Sequence, residues 1–322
     1  MIKRNILLSP VLILLCFVWL CCDKTGKPAV EDPIVETPPT PEEPPEPEEP
    51  EPLTASDIIF MNSFEDGNLN VWDDWDKNPA PENTLLQDPG PFNTPNNHVM
   101  RLWVKPGRGG ADVVKVLPSP HDKVYARWYA KWEEGFDFTA KNHGGGLHAG
   151  DRNLMGVAGR RPDGADMARI GFEYDARNAK AFLYAYYRGM DMDCADPNGS
   201  CWGDHLPCFL SANYCKDPAL REKPGKPTPK LEAGKWYCIE LLMDMGTPTP
   251  TQEGADGVVS FWIDGVEYGP FENLWLRTVP SLKIRNFDAS LFHHGEHGDA
   301  GVVYDNIVIA KKRIGMNKVV GE

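Results

Sequence analysis

The sequence has almost no helical periodicity; nowhere do apolar residues recur at the spacing of an amphipathic helix. It has no excess of base either. Its 33 Lys and Arg stand against 47 Asp and Glu, a formal charge of −14. Without a basic stripe to neutralise phosphates, nucleic acid is excluded as a partner. An anionic ligand is not excluded, because a few local Arg and Lys outweigh a distant net charge. There is no internal repeat and no apolar run long enough to span a bilayer. The longest, Ile6 to Leu20, has fifteen residues, roughly 22 Å as a helix against a hydrocarbon core of ~30 Å.

What is present divides into three parts. The basic start Met1-Ile-Lys-Arg-Asn and the apolar run read as a signal peptide over residues 1–22. The run ends in Trp19-Leu20-Cys21-Cys22-Asp23, which resembles the lipobox of bacterial lipoproteins. That resemblance implies lipidation at Cys22, a membrane anchor, and a place at the outer membrane or cell surface; without it the protein is periplasmic or secreted. Residues 23–54 form a linker; within it, 28–52 hold ten Pro and nine acids. Such a stretch buries too little apolar area to fold and reads as a disordered, extended spacer. Residues 55–322 are the folded domain, expected as a monomer.

That domain reads as short runs of β-formers between Gly, Pro, Asn and Asp: 57–64, 99–104, 112–117, 124–132, 168–174, 181–187, 236–245, 258–263, 282–285 and 302–310. Asp264-Gly265 is a two-residue hairpin signal. Many antiparallel strands without helices predict an all-β fold, a sandwich or a barrel. Alternation assigns faces. Ala126, Trp128, Ala130 and Trp132 oppose Tyr125, Arg127, Tyr129 and Lys131; Ile170, Phe172 and Tyr174 oppose Arg169 and Glu173; Leu183 and Ala185 oppose Phe182, Tyr184, Tyr186 and Arg188. The second set in each pair mixes aromatic rings with charged hydrogen-bonding groups, which suits sugar rings.

Phe64-Glu65-Asp66-Gly67 and the closing Val303-Tyr304-Asp305-Asn306-Ile307-Val308-Ile309 resemble the ends of concanavalin A-like jelly rolls. Between them, Phe136-Asp137-Phe138 and His143-Gly144-Gly145-Gly146-Leu147 resemble the strand exit and loop of family-14 polysaccharide lyases. Met167-Ala168-Arg169, Tyr184-Ala185-Tyr186, Gly234-Lys235-Trp236 and Phe292-His293-His294-Gly295 follow in that family's order. The resemblance implies a jelly-roll β-sandwich of two antiparallel sheets that acts on a uronate-containing, anionic polysaccharide by β-elimination. It places catalysis on His143, Arg169, Tyr184 and Tyr186. Two departures stand out: His143 replaces the family's loop lysine, and Met167 its strand serine. Lys131, Arg127 and Tyr129, with Lys141, Glu173, Arg188, Lys283 and Arg285, make up the expected substrate-binding set.

The chemistry fits those residue types. Elimination needs a cation for the carboxylate, a base for the proton beside it and an acid for the leaving oxygen. Arg169 supplies charge, and His143 is the side chain whose ordinary pKa best suits a base near neutrality. Tyr184 or Tyr186 serves as acid or base only if a neighbouring cation lowers its pKa, for which Arg188 and Lys131 are the candidates. The alternative is a glycan-binding, lectin-like lipoprotein that has lost turnover. Glycoside hydrolysis is disfavoured: no Glu-x-Asp-x-x-Glu strand occurs, and Glu173 and Asp175 would stand about 7 Å apart along a strand, beyond a retaining pair.

Cys194, Cys201, Cys208 and Cys215 recur every seven residues inside a Pro- and Gly-rich insertion, 189–232. They lack the tight pairs of zinc sites and predict two disulfides, with three pairings open. Cys238 is left over and expected as a buried thiol, with pairing to the insertion the other option. The insertion is placed to wall one end of the groove and to offer Trp202, His205 and Tyr214 to ligand. His293, His294, Glu296 and His297 are the one metal-like cluster, and its glycines favour a loop at the groove rim over a metal-binding helix. No cofactor is called for, although Asp and Asn turns are compatible with structural calcium.

Overall fold

A computed structural model describes residues 50–75, 83–107, 109–139, 141–191, 194, 198–210, 214–294, 298 and 300–319. The signal segment with Cys22, most of the linker, Glu296, His297 and the side chain of Lys141 lie outside the described residues. In chain order the strands are β1 (Ile58–Asn62), β2 (Asp74–Trp75), β3 (Asn83–Gln87), β4 (His98–Val104), β5 (Gly110–His121), β6 (Lys123–Trp132), β7 (Lys141–Gly150) and β8 (Met167–Asp175). They continue with β9 (Lys180–Tyr186), β10 (Asp204–Leu206), β11 (Trp236–Asp244), β12 (Gly257–Ile263), β13 (Val266–Glu267), β14 (Phe271–Leu274), β15 (Ile284–His294) and β16 (Ala300–Ala310). Two three-residue 3-10 turns are the remaining helical elements among the described residues, and no helix there is long and apolar enough to cross a membrane.

The strands form two antiparallel sheets, the expected jelly-roll sandwich. One runs β13-β12-β11-β6-β16-β4-β3, with β1 on β16 and β14 on β12; the other runs β10-β9-β8-β7-β15-β5-β2. Period-two alternation fills the space between them. From β6, Trp128 meets Phe172 of β8 and Phe287 of β15 at centroid distances of 6.4 and 5.6 Å, and Trp132 meets Phe172 and Tyr237 at 6.3 and 6.0 Å. Large rings on both inner faces supply the apolar burial that holds the sheets together.

The outer face of β6 answers to a different requirement. Arg127 is fully buried and donates to the carbonyls of Asn306 and Asn317, each at 3.1 Å, while the Tyr129 hydroxyl donates to the Met316 carbonyl. Beside them, Glu240 accepts from the backbone N–H groups of Ile314 and Gly315 at 2.6 and 3.0 Å. Lys131 lies over the Trp236 ring and pairs with Asp88 at 2.7 Å. The aromatic and basic residues of this face therefore dock the C-terminal segment and brace a neighbouring loop.

The same sheet holds Asp305, which is 2 % exposed and accepts from Asn97 Nδ2 at 3.0 Å. Burial pushes its carboxyl up to about 6. The folded state then holds a proton that the unfolded chain releases at lower pH, so this contribution to stability is full in acid and lost as pH rises from about 4 to about 6. Urea unfolding across that window is expected to show wild type losing on the order of 2 kcal/mol relative to Asp305→Asn; parallel pH dependences would refute it.

Cys194 bonds to Cys201 and Cys208 to Cys215, so sequential pairing resolves the open connectivity. Cys238 is free and buried, and burial pushes its thiol up to about 12. The two disulfides bracket β10, which adds an edge strand to β9 with Asp204 opposite Ala185, His205 opposite Tyr184 and Leu206 opposite Leu183.

Candidate functional site

The outer face of the seven-stranded sheet gathers most of the expected catalytic residues. Along β8, Ile170, Phe172 and Tyr174 enter the core, which turns Arg169, Gly171 and Glu173 outward. Strand register then sets three rows across the sheet. Asn286, His148, Arg169 and Tyr186 face one another in turn; so do Asp288, Gly146, Gly171, Tyr184 and His205; so do Phe292, His143, Glu173 and Phe182.

The middle row has a bare floor. The glycine run expected as a loop is part of β7, with a bulge between His143 and Gly146. A Cβ on Gly145 would sit 2.8 Å from the Asp288 carbonyl and 3.2 Å from the Trp128 ring; one on Gly146 would sit 2.6 Å from the Ile170 carbonyl. The backbone approaches its neighbours too closely there for any side chain. At Gly171, across from Gly146, a Cβ would meet nothing within 4 Å.

On one side of this floor stands His143. Its Nδ1 meets the Glu173 carboxylate, and its Nε2 lies 2.9 Å from His294 Nε2. A carboxylate on Nδ1 selects the tautomer that leaves Nε2 as the basic nitrogen. On the other side stands Arg169, half-buried, with its guanidinium 5.2 Å from the centre of the Tyr186 ring. Arg169 has neither an ion pair nor a hydrogen-bond partner among the described residues, and its Nε is buried. Next to it, His148 Nε2 meets Asp288 Oδ1 at 2.5 Å. The site thus holds two histidine–carboxylate pairs and one guanidinium that no anion among the described residues answers.

The tyrosines differ from the expectation. Tyr186 is fully buried; its hydroxyl accepts from Gly159 N–H at 3.3 Å and lies 3.2 Å from the Tyr184 hydroxyl. The Tyr184 hydroxyl also accepts from Gly203 N–H at 3.0 Å. Burial and the Tyr186 hydroxyl hold the Tyr184 phenol well above its ordinary range. The cations expected to lower a phenol are elsewhere: Lys131 is on the other sheet, and Arg188 stacks on Trp275 at 4.5 Å. Tyr184 therefore stays protonated.

Of the expected binding residues whose side chains are described, only Glu173 is brought to this cluster. Arg127, Tyr129 and Lys131 belong to β6 in the nine-stranded sheet. Lys283 pairs with Asp122 at 2.5 Å beside Arg277. Arg285 is exposed at the bulge that opens β15, and Lys141 begins β7. His293 and His294, expected in a loop, lie in β15: His293 is buried 5.5 Å from Phe136, and His294 faces outward. His148 and Asp288 join the site without any motif in the sequence to mark them, and His294 joins it from a strand rather than a rim loop. The one signal for His148 is its position two residues after Gly146 in an alternating strand.

No protein-family model and no curated protein sequence matches this chain. Among solved structures, the chain is similar to an alginate lyase from Chlorella virus, at 14% identity and a TM-score of 0.55, over 79% of this chain and 100% of that one. It is also similar to an endo-β-1,4-glucuronan lyase from the fungus Trichoderma reesei, at 15% identity and a TM-score of 0.52, over 79% and 96%. These likenesses establish the jelly-roll fold that the sequence resemblance implied.

Proposed function

We propose that this chain is a polysaccharide lyase that cleaves a uronate-containing glycan by β-elimination on the outer face of the seven-stranded sheet. The observation that carries the reading is Arg169: a half-buried cation without an anionic partner among the described residues, on the same strand face as the carboxylate of a histidine–carboxylate pair. A uronate carboxylate on Arg169 keeps the enolate-like charge bound as it develops. His143 Nε2 takes the proton from the carbon beside the carboxyl, with Glu173 holding the ring and the imidazolium. The C–H electron pair becomes the new C=C bond, the bond to the glycosidic oxygen breaks, and Tyr184, which keeps its proton, gives it to that oxygen. The lyase activity of the two structural neighbours supports this reading. The two disulfides fit an oxidising compartment, where the proposal has a monomer held by lipid at Cys22 on the Pro-rich linker.

The test is ultraviolet absorbance of the conjugated uronate end that elimination alone creates. Full-length protein is incubated with alginate, glucuronan, pectate and glycosaminoglycans. Rising absorbance on at least one polymer is expected. No rise on any polymer, with gel retardation retained, would replace the lyase with a glycan-binding protein.

A further inference from the structure

Phe292 is a large apolar side chain left exposed beside the proposed base. Burial alternates at this end of β15, so Leu291 and His293 turn inward while Phe292 and His294 turn outward. Register places Phe292 opposite His143 of β7 on one side and opposite Gly110 of β5 on the other. Its ring centre lies 5.6 Å from that of His143 and 5.0 Å from that of His294, with the planes inclined at 50° and 74°. On the β5 side a Cβ on Gly110 would come within 2.8 Å of the ring, and one on Gly109 within 3.0 Å. Two imidazoles and a bare stretch of backbone thus fix the ring, yet the residue remains 38 % exposed. An aromatic ring already held in place binds a flat apolar surface with little ordering cost.

Strand order sets its position relative to Tyr184. Tyr184 of β9 faces Gly171 of β8, which faces Gly146 of β7. Phe292 lies in β15, the next strand after β7, and one row along. The glycine floor therefore separates the two rings. At about 4.8 Å per strand, β9 and β15 stand roughly 14 Å apart across the sheet.

We infer that Phe292 is a sugar-stacking subsite for the unit that stays with the cleaved uronate, the one joined to its anomeric carbon. This rests on the lyase reading in one respect. Tyr184 protonates the departing oxygen, so the departing sugar lies toward β9 and the rest of the chain continues over the floor toward β15. The ligand is a pyranose ring presenting its apolar face to the phenyl ring.

The test exploits the two frames in which a uronate trisaccharide can be cut. With its reducing unit on Phe292, the products are a saturated monosaccharide and an unsaturated disaccharide. With that unit in the uronate position instead, they are a saturated disaccharide and an unsaturated monomer. Full-length protein is given trisaccharides from alginate and glucuronan, and the products are resolved by mass spectrometry. Phe292→Ala is expected to shift the ratio of unsaturated products about tenfold toward the monomer, and to raise KM on the polymers by a similar factor. Phe292→Tyr, which keeps a ring, is expected to restore most of both. Disturbing His143 would slow both frames alike, so an unchanged ratio at a lower rate overturns the inference and marks Phe292 as support for that histidine. An unchanged KM overturns it as well. If wild type eliminates nothing, the lyase reading is what fails, and gel retardation on the same polymers decides for Phe292. Binding weakened by Phe292→Ala keeps the stacking site without the lyase; binding unaffected overturns it.

Discussion

Replacing His143 with alanine is expected to lower kcat for elimination about 10³-fold, the middle of what a positioned base contributes. The side chain is a quarter exposed, meets the Glu173 carboxylate and His294, and packs its ring beside Tyr184 and the exposed Phe292. Thermal stability should therefore change little, which separates this loss from misfolding. Glu173→Gln is expected to lose less, about 10²-fold, because the ring remains but its tautomer and its cation are no longer held by a carboxylate. The measurement is initial rate by ultraviolet absorbance at saturating polymer. A His143→Ala variant within tenfold of wild type would move the base elsewhere on this face, with the His148–Asp288 pair first in line.

Arg169→Ala is expected to cost about 10³-fold in kcat/KM, since it removes the charge that meets both the bound carboxylate and the developing enolate. The informative variant is Arg169→Lys. The guanidinium lies over the Tyr186 ring, and an ammonium on a flexible stem reproduces neither the stacking nor the two-point grip on a carboxylate. Lysine is therefore expected to recover no more than about tenfold. Tyr186→Phe keeps the ring, and its rate should stay close to wild type; this distinguishes a platform under Arg169 from a proton donor at the hydroxyl. A Tyr186→Phe loss as large as that of Arg169→Ala would restore the hydroxyl to the chemistry.

The parts of the site legible in the sequence are those on regular strands. In β8 and β9 the two-residue period runs unbroken, so alternation alone puts Arg169 and Glu173 on one face of their strand, and Tyr184 and Tyr186 on one face of theirs. In β7 and β15 it fails, because bulges fall between His143 and Gly146, between Ile284 and Asn286, and between Asp288 and Phe292. Glycines carry no apolar or polar sign either, so the run resembles a loop, and nothing in the pattern ties His148, Asp288 and His294 to the same face. Alternation also says which residues share a face but not which sheet holds the strand. Arg127, Tyr129 and Lys131 look like a ligand-binding stripe until β6 is seen paired with β11 and β16, beneath the C-terminal segment. Burial is equally invisible: the Tyr184-Ala185-Tyr186 motif gives no hint that its second ring is covered while its first keeps some exposure.

Gly146 and Gly171 face each other in the middle row, yet the protein constrains them differently. Packing dictates glycine at position 146, where the Ile170 carbonyl oxygen and the Gly171 Cα fill the space a side chain would need. At position 171 the protein dictates nothing, since the volume above that Cα is empty on the protein's side. Shape and stability are therefore uncoupled at this one point of the sheet. A methyl or hydroxymethyl group on residue 171 would raise the bed on which a polymer lies without displacing a protein atom, making the depth of the cleft a quantity that can vary while the fold beneath it stays the same.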